Sequence, residues 1–343
     1  MSEFELCNLN RALNNRLENG KTKLSYGVKF LDKATGGIRR NDLIVIGGRT
    51  GGGKSELASI IAQNNCKNGL RVCYFALEAE EDEVVNRMLY RVFSRLYYKD
   101  YYTKNYKAIN YVSFMDGEYD REYEKLMRIA ENDFENLYPN LLVFYRDKKF
   151  GLDQFKKQIW DMKDSGDLFI LDHLHHFDFD SSQNEILQIK SAVKLLRDIC
   201  LIIKKPIICI AHLRKGDRAS RALVPDLEEF YGSSEISKEA TQVITIAPYE
   251  DDTDIDPYKY PTLFKVCKFR KNGGVAKFVG LHEFNTRDNK YNSDFVLGKL
   301  ENSGTVFTSI SSNKPYWAFD KDETEEYAYE EENWFVLWAA RWH

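Results

Sequence analysis

The chain has 343 residues, of which 43% are hydrophobic and 30% are charged, a composition typical of a folded globular protein. Its formal net charge of −4 excludes a protein that binds nucleic acid through a uniformly basic surface, so any such contact needs a local basic patch. No signal peptide or membrane-length apolar run is recognisable, which predicts a protein without membrane contact in the cytoplasm, or in the host cytoplasm if the source is viral.

Residues 1–24 are polar and carry leucines at helical spacing, which predicts an N-terminal arm or linker. Residues 25–300 repeat strand-like and helix-like segments, which favours one α/β domain built on a mostly parallel, twisted sheet with helices on both faces. The predicted strands are 43–47, 71–77, 141–145, 168–172, 206–211, 243–247 and 263–269. Helices are predicted within 79–137 and over 152–164 and 185–204.

Residues 301–343 lose this pattern and form a predicted C-terminal extension. Eight acids lie within 320–332, and the chain then closes on WFVLWAARWH. The acidic run predicts a mobile segment that repels DNA. The apolar end predicts either a last helix that docks on the chain's own core or a surface that recruits a partner.

A phosphate-binding loop is the most specific motif in the sequence. Residues 48–55 read GRTGGGKS, which fits G-x-x-x-x-G-K-[ST] between an apolar run at 43–46 and a helical pattern at 56–64. In such a loop, backbone amides surround a polyphosphate, the Lys reaches the outer phosphates and the Ser holds Mg²⁺. The predicted nucleotide-binding residues are Gly48, Arg49, Thr50, Gly51, Gly52, Gly53, Lys54, Ser55 and Glu56.

Carboxylates end two further apolar runs. Asp172 ends LFILD, and an acid at the carboxyl end of a parallel strand faces the ligand crevice, so we expect it to share Mg²⁺ with Ser55. Glu78 ends CYFALE, where a carboxylate could orient and deprotonate an attacking water. Glu80 and Glu81 lie nearby, and spacing alone leaves a solvated loop role for Glu78 open.

Histidines follow two of the predicted strands. His212 ends IICIAH, where an imidazole can either contact the γ-phosphate and report its loss or be satisfied by the backbone. His173, His175 and His176 follow directly after LFILD. Their i, i+2, i+3 spacing suits no common zinc site, so a structural or loop role is expected for these three side chains.

Basic side chains cluster after His212 and at the end of the last predicted strand. The first cluster lies on a loop and predicts contact with a nucleic-acid backbone, with a solvated charged loop as the alternative. Its members are Arg214, Lys215, Arg218 and Arg221. The second cluster is Lys268 and Arg270 in FKVCKFR, where an Arg could serve a neighbouring subunit's nucleotide as an arginine finger or lie in solvent.

Together these segments resemble the hexameric replicative helicases, the family of DnaB, the phage primase-helicases and Twinkle. The resemblance runs from about Leu24 to Tyr291, and the order and spacing of its segments are its most specific feature. The segments are SYGVKFLDKATGGIRRNDLIVIGGRTGGGKS, CYFALE, LFILDHLHHF, CIAHLRK, DLEEFYGSSEISKEATQVI and KVCKFRKNGG. No primase, zinc-binding or collar segment is recognisable, and Thr241 stands where the family usually has Asp, which weakens the argument for ring assembly.

The resemblance implies a RecA-like P-loop NTPase core that hydrolyses ATP with Mg²⁺, translocates on single-stranded DNA and unwinds duplex DNA. It implies that Glu78 is the catalytic base, His212 the phosphate sensor, and Lys268 and Arg270 the trans-acting pair. It also implies a nucleotide-dependent hexameric ring. In that ring, residues 1–24 would pack on the next subunit, and the tail would contact a polymerase, primase or other replisome protein.

Two alternatives stay open from the sequence. One is a recombinase-type or circadian-clock-type RecA ATPase that switches without unwinding DNA. The other is a helicase-derived loader or accessory protein that kept the fold. Strand displacement on forked DNA separates the first alternative from a helicase, and ATP turnover with and without single-stranded DNA tests the second.

Overall fold

A computed structural model describes residues 9–21, 24–80, 82–101, 109, 111–117, 121–146, 150–179, 184–214, 222–250, 258–287 and 289–319. Its helices are α1 (Leu9–Lys21), α2 (Lys29–Thr35), α3 (Lys54–Lys67), α4 (Glu83–Leu96), α5 (Tyr111–Met115), α6 (Arg121–Leu137), α7 (Leu152–Met162), α8 (Glu185–Ile203) and α9 (Ser233–Glu239). Its strands are β1 (Leu43–Gly48), β2 (Val72–Ala76), β3 (Leu141–Tyr145), β4 (Leu168–Asp172), β5 (Ile207–Ala211), β6 (Gln242–Pro248), β7 (Lys259–Phe269), β8 (Val279–Asn285), β9 (Lys290–Tyr291), β10 (Val296–Glu301) and β11 (Val306–Ser309).

The described strands form one sheet in the order β11-β10-β8-β7-β6-β1-β5-β4-β2-β3, and β9 pairs with β8. The six strands from β6 to β3 are parallel to one another. The remaining strands extend the sheet beyond β6 in antiparallel pairs. All seven predicted strands are present, with ends within four residues of the prediction. The predicted α/β fold is therefore confirmed. The parallel part of the sheet consists of the six strands from β6 to β3.

Helices cover both faces of the parallel half, as the buried strands require. Leu43 and Val45 of β1 pack in one hydrophobic core with side chains of α7 and α8. Ile44 and Ile46 pack in the other core with side chains of α2, α3 and α4. Alternating positions of one strand therefore reach opposite layers, and every residue of β1 is buried.

The segment predicted as helical over 79–137 is divided into several helices. The chain runs through α4, a π-helical turn at Tyr97–Tyr101, α5 and α6. The predicted leucine-rich arm contains α1, whose Leu9, Leu13 and Leu17 are exposed. Among the helices that the structure describes, none has both the length and the apolar character that crossing a bilayer demands.

The sheet continues past the boundary predicted at residue 300. That boundary falls inside the hairpin in which Glu301 pairs with Val306, so the chain as far as Ser309 belongs to the same sheet. Trp317 then packs edge-on against Phe30, with ring centroids 5.9 Å apart. The Lys33 ammonium group donates to the Phe319 carbonyl at 2.7 Å. The predicted acidic and aromatic tail, 320–343, lies outside the described residues.

Gly47 gives a test of packing at the centre of the sheet. A Cβ atom at this position would lie 2.2 Å from Cζ of Phe230, a side chain that is fully buried. Gly47→Ala is expected to lower the free energy of unfolding by about 1–3 kcal/mol, because Phe230 must move. Urea unfolding measures the change. Gly273→Ala is the matched control, since its Cβ meets nothing within 4 Å, and equal losses in the two variants would contradict this packing.

Candidate functional site

The phosphate-binding loop joins β1 to α3, as the sequence predicts. Gly51 and Gly53 have φ values of 74° and 85°, in the left-handed region that glycine tolerates. Gly48 must also lack a side chain, because a Cβ there would lie 2.8 Å from the Ile246 carbonyl oxygen. Gly53 caps α3, so the first amides of this helix are directed at the loop.

Lys54 is buried under the loop that precedes it. Its Nζ donates to the Arg49 carbonyl oxygen at 3.0 Å, and its residue exposure is 8%. Burial lowers the pKa of Lys54, while the carboxylates of Asp172 and Glu78 act in the opposite direction. The ammonium group therefore lies close to both acids, and it keeps two further N–H donors for an anionic ligand.

Asp172 lies at the end of β4 with only 5% of its surface exposed. The Tyr74 hydroxyl donates to its Oδ2 at 2.6 Å. Its buried Oδ1 has no hydrogen-bond partner within the described part of the chain. Burial raises the pKa of Asp172, and the hydroxyls of Tyr74 and Ser55 oppose that rise. An unpartnered carboxylate oxygen beside a serine hydroxyl fits Mg²⁺, which prefers oxygen ligands.

Glu78 lies beside a group of histidines at the ends of β4 and β5. The Leu77 amide donates to the Asp172 carbonyl at 2.7 Å, which continues the β2–β4 pairing and fixes Glu78 next to His173. Glu78 Oε2 and His173 Nε2 are 2.8 Å apart. The ring centroid of His212 lies 3.9 Å from that of His173. Three chain segments that are far apart in sequence therefore meet here.

The surroundings of His173, His175 and His212 favour the neutral form of each ring. Burial and the neighbouring imidazoles lower the pKa of His173 to about 2 and that of His175 to about 4. Burial and the Lys54 ammonium group lower the pKa of His212 as well. The His212 amide donates to Nδ1 of His175 at 3.3 Å, so one lone pair of that ring is engaged.

Lys268 and Arg270 lie at the other end of the sheet. Gly48, at the end of β1, pairs with Ile246 of β6, which in turn pairs with Phe264 of β7. Arg270 follows Phe264 by six residues, toward the opposite end of the strands. Six residues of strand span roughly 20 Å. Within the chain, the Arg270 guanidinium donates to the Lys238 carbonyl at 2.8 Å, and the Lys268 ammonium group donates to the carbonyls of Ser237 and Ala240 at the end of α9. Neither side chain reaches its own phosphate-binding loop.

Arg214 is the one member of the predicted DNA-binding cluster that the structure describes. It is exposed just after β5, and its guanidinium donates to the Phe230 carbonyl and the Ser233 hydroxyl, both at 3.1 Å. The other three members, Lys215, Arg218 and Arg221, lie outside the described residues, as does Glu81. The role of this cluster stays a prediction.

Tyr74 is the site residue that the sequence reasoning missed. It is fully buried in β2, and its side chain packs in one hydrophobic core, whereas its neighbours Cys73 and Phe75 pack in the other. A buried tyrosine hydroxyl needs a hydrogen-bond partner, and that requirement is the signal that could have drawn attention to it. Asp172 is the partner, so a side chain of β2 fixes the acid of β4.

The fold and the site define a P-loop protein with a RecA-like α/β core. Residues 23–281, three quarters of the chain, match the family model described as "DnaB-like helicase C terminal domain". The chain belongs to this family, and the resemblance inferred from its motifs is confirmed.

Curated relatives agree with this assignment at low identity. The chain is 25% identical over 232 residues to a "Probable replicative DNA helicase" of Trieres chinensis, which covers 65% of this chain and 47% of the relative. It is 26% identical over 275 residues to "Replicative DNA helicase DnaB" of Mycoplasma genitalium, which covers 76% of this chain and 55% of the relative. The chain thus spans about half the length of these relatives.

Solved structures support the fold. One neighbour is described as "The Structure Of A DnaB-Like Replicative Helicase And Its Interactions With Primase". It aligns with a TM-score of 0.63 and 17% identity over 84% of this chain and 67% of that one. Likeness at this identity shows that the two chains share the RecA-like fold.

The neutral histidines make stability depend on pH. His173, His175 and His282 have pKa values of about 2, 4 and 4 in the folded chain, against 6.5 ordinarily. Below about pH 6.5 the unfolded chain binds more protons than the folded chain, so the free energy of unfolding falls as pH falls. The fall is ~1.4 kcal/mol per pH unit for each histidine that stays neutral.

Urea unfolding between about pH 7 and about pH 5.5 measures this fall. In His175→Gln the free energy of unfolding should fall less steeply with decreasing pH, because one of the neutral imidazoles has been removed. Wild-type stability that rises as the pH is lowered over this interval would contradict the burial of neutral rings.

Proposed function

We propose that this chain is the ATP-driven motor of a replicative DNA helicase, which translocates on single-stranded DNA and unwinds duplex DNA. The observation that carries the proposal is the meeting of Lys54, Ser55, Glu78, Asp172 and His212 at one edge of the sheet, in a member of the DnaB-like family. The names of the curated relatives support the same function.

ATP would bind with its phosphates against the amides of the phosphate-binding loop and the first turn of α3. Lys54 would neutralise charge on the outer phosphates from its buried position. Ser55 and Asp172 would hold Mg²⁺, which screens the phosphate charge when it is bound. Tyr74 would keep the Asp172 carboxylate in place through its hydroxyl.

Hydrolysis would proceed by in-line attack of water on the γ-phosphorus. Glu78 would accept a proton from the water as its oxygen bonds to phosphorus and the bond to the bridging oxygen of ADP breaks. In addition to burial, the Lys54 ammonium group lowers the pKa of His212 and the Glu78 carboxylate raises it, so both groups act on this ring. From this position His212 would contact the γ-phosphate and respond to its departure. Glu80 is a weaker choice for the base, because Glu78 and not Glu80 lies against the buried histidines.

The trans-acting pair would act on the ATP of a neighbouring copy. Lys268 and Arg270 are too far from the phosphate-binding loop of their own chain to act there, a placement that is compatible with the proposed role across a subunit interface. This arrangement supports a homo-oligomer, with a hexameric ring as the proposed form. Single-stranded DNA would contact the loop that begins at Arg214, and a primase, polymerase or other replisome protein would contact the tail.

Unwinding of forked DNA tests the proposed function. The wild-type chain should separate the strands only with ATP and Mg²⁺, and single-stranded DNA should stimulate its ATP turnover. Glu78→Gln should bind ATP but lose both activities by ~10²-fold or more, because the side chain keeps its shape and loses its basicity. Glu80→Gln is the matched control and should stay near wild type. DNA-stimulated turnover without strand separation would favour a RecA-type ATPase that does not unwind DNA.

Mixing of two inactive variants tests the interface. Lys54→Ala removes the cation of the phosphate-binding loop, and Arg270→Ala removes the proposed finger. Each variant alone should hydrolyse ATP poorly, whereas a mixture should regain part of the turnover, because some interfaces then combine an intact loop with an intact finger. Full activity of Arg270→Ala alone, with no gain on mixing, would place the finger elsewhere.

A further inference from the structure

Two histidines at the site have no role in the proposed hydrolysis. His173 is 1% exposed, and neither of its ring nitrogens has a hydrogen-bond partner among the described residues, although Nε2 lies 2.8 Å from Glu78 Oε2. His176 lies next to it, with ring centroids 4.4 Å apart. An unpartnered buried imidazole is costly, and such groups in a native protein call for a ligand or a function.

The two histidines form a cluster with groups from other strands. We define the His–Glu cluster as Glu78, His173, His176 and His212. One ligand atom from each member lies within 4.8 Å of those of all the others. Four ligands at tetrahedral zinc distances are roughly 3.3 Å apart, so side-chain adjustments on the order of 1 Å would close a complete shell.

The chemistry of the cluster suits a borderline-soft cation. Three imidazoles and one carboxylate favour zinc and neighbouring transition metals, whereas Mg²⁺ and Ca²⁺ favour all-oxygen shells. Burial lowers the pKa of His173 and of His212, which favours the neutral imidazole that can bind a metal through a nitrogen lone pair. The Glu78 carboxylate supplies negative charge to the same point.

We propose that the His–Glu cluster binds one divalent transition-metal ion of the zinc type. Its four ligands do not include Ser55 or Asp172, the residues proposed to hold Mg²⁺. Two of its ligands, His173 and His176, come from the segment after β4, and the other two come from the ends of β2 and β5. The binding itself does not depend on the proposed helicase function.

A bound ion would also switch ATP hydrolysis off. It would occupy the carboxylate of Glu78 and the ring nitrogen of His212, which are the base and the sensor of the proposed reaction. This consequence rests on the proposed function. Zinc at low concentration should therefore inhibit turnover even with Mg²⁺ in large excess, because Mg²⁺ competes poorly for imidazole ligands.

Direct metal binding to the whole chain is the first test. The chelator-treated protein is titrated with Zn²⁺ by calorimetry and with Co²⁺ by visible absorption, which reports tetrahedral ligation by nitrogen and oxygen. We expect one ion per chain, with affinity reduced at least ~10-fold in both His176→Ala and Glu78→Gln. Glu80→Gln is the control and should bind like wild type. Circular dichroism establishes that each variant is folded before it is titrated.

Three results would overturn the proposal. They are the absence of saturable binding, binding that neither variant weakens, and a cobalt spectrum dominated by thiolate charge transfer, which would place the ion on cysteines. A second measurement follows zinc inhibition of ATP turnover relative to each protein's own zinc-free rate, where His176→Ala should need at least ~10-fold more zinc. Metal binding without inhibition would support the proposed metal site and contradict only the claim that the bound metal inhibits ATP hydrolysis. The two claims can therefore be contradicted separately.

Discussion

The parallel register of β1, β5, β4 and β2 is the constraint on which the site depends. Gly47 pairs with Ala211 and Ala76 with Asp172, so these four strands end at one edge of the sheet. Side chains placed one or two residues beyond each strand must then converge, whatever their distance along the chain. The backbone ladder thereby assembles a phosphate-binding loop, two acids and a group of histidines without any direct sequence contact between them.

Burial at that edge of the sheet shifts the pKa values of the ionisable groups that converge there. The carboxyl of Asp172 has a raised pKa, the ammonium group of Lys54 has a lowered one, and His173 stays neutral, all chiefly because water is excluded. Such groups are costly unless a ligand completes their interactions. Oδ1 of Asp172 and Nδ1 of His173 have no hydrogen-bond partner among the described residues, and we propose a different cation for each of these two residues. One carboxylate would then join a hydrolytic site to a metal site that inhibits it.

The sequence predicts the parallel half of the fold well, because its strands are short, largely apolar runs separated by helical patterns. The later strands β8 to β11 and the packing of Trp317 on Phe30 escaped prediction. Two of these strands carry little signal, since β9 has two residues and β11 is largely exposed. The phosphate-binding loop could be read from spacing alone. The contact between Glu78 and His173 could not be predicted from the sequence, because it depends on β4 lying between β5 and β2. No local sequence pattern encodes that strand order. The spacing of His173, His175 and His176 concerns one segment, whereas the fold brings candidate ligands together from three segments.

The central claim is that the proposed ATP hydrolysis takes place across an interface between copies of the chain. Arg270, the proposed arginine finger, lies at the end of the strands opposite the phosphate-binding loop, so under this proposal a lone chain cannot complete its own site. The most direct measurement is the mass in solution, with and without ATP, Mg²⁺ and single-stranded DNA. The account predicts a shift from the 40.1 kDa of one chain toward about six times that mass when the ligands are present. A species that stays at 40.1 kDa while it hydrolyses ATP at full rate would contradict it.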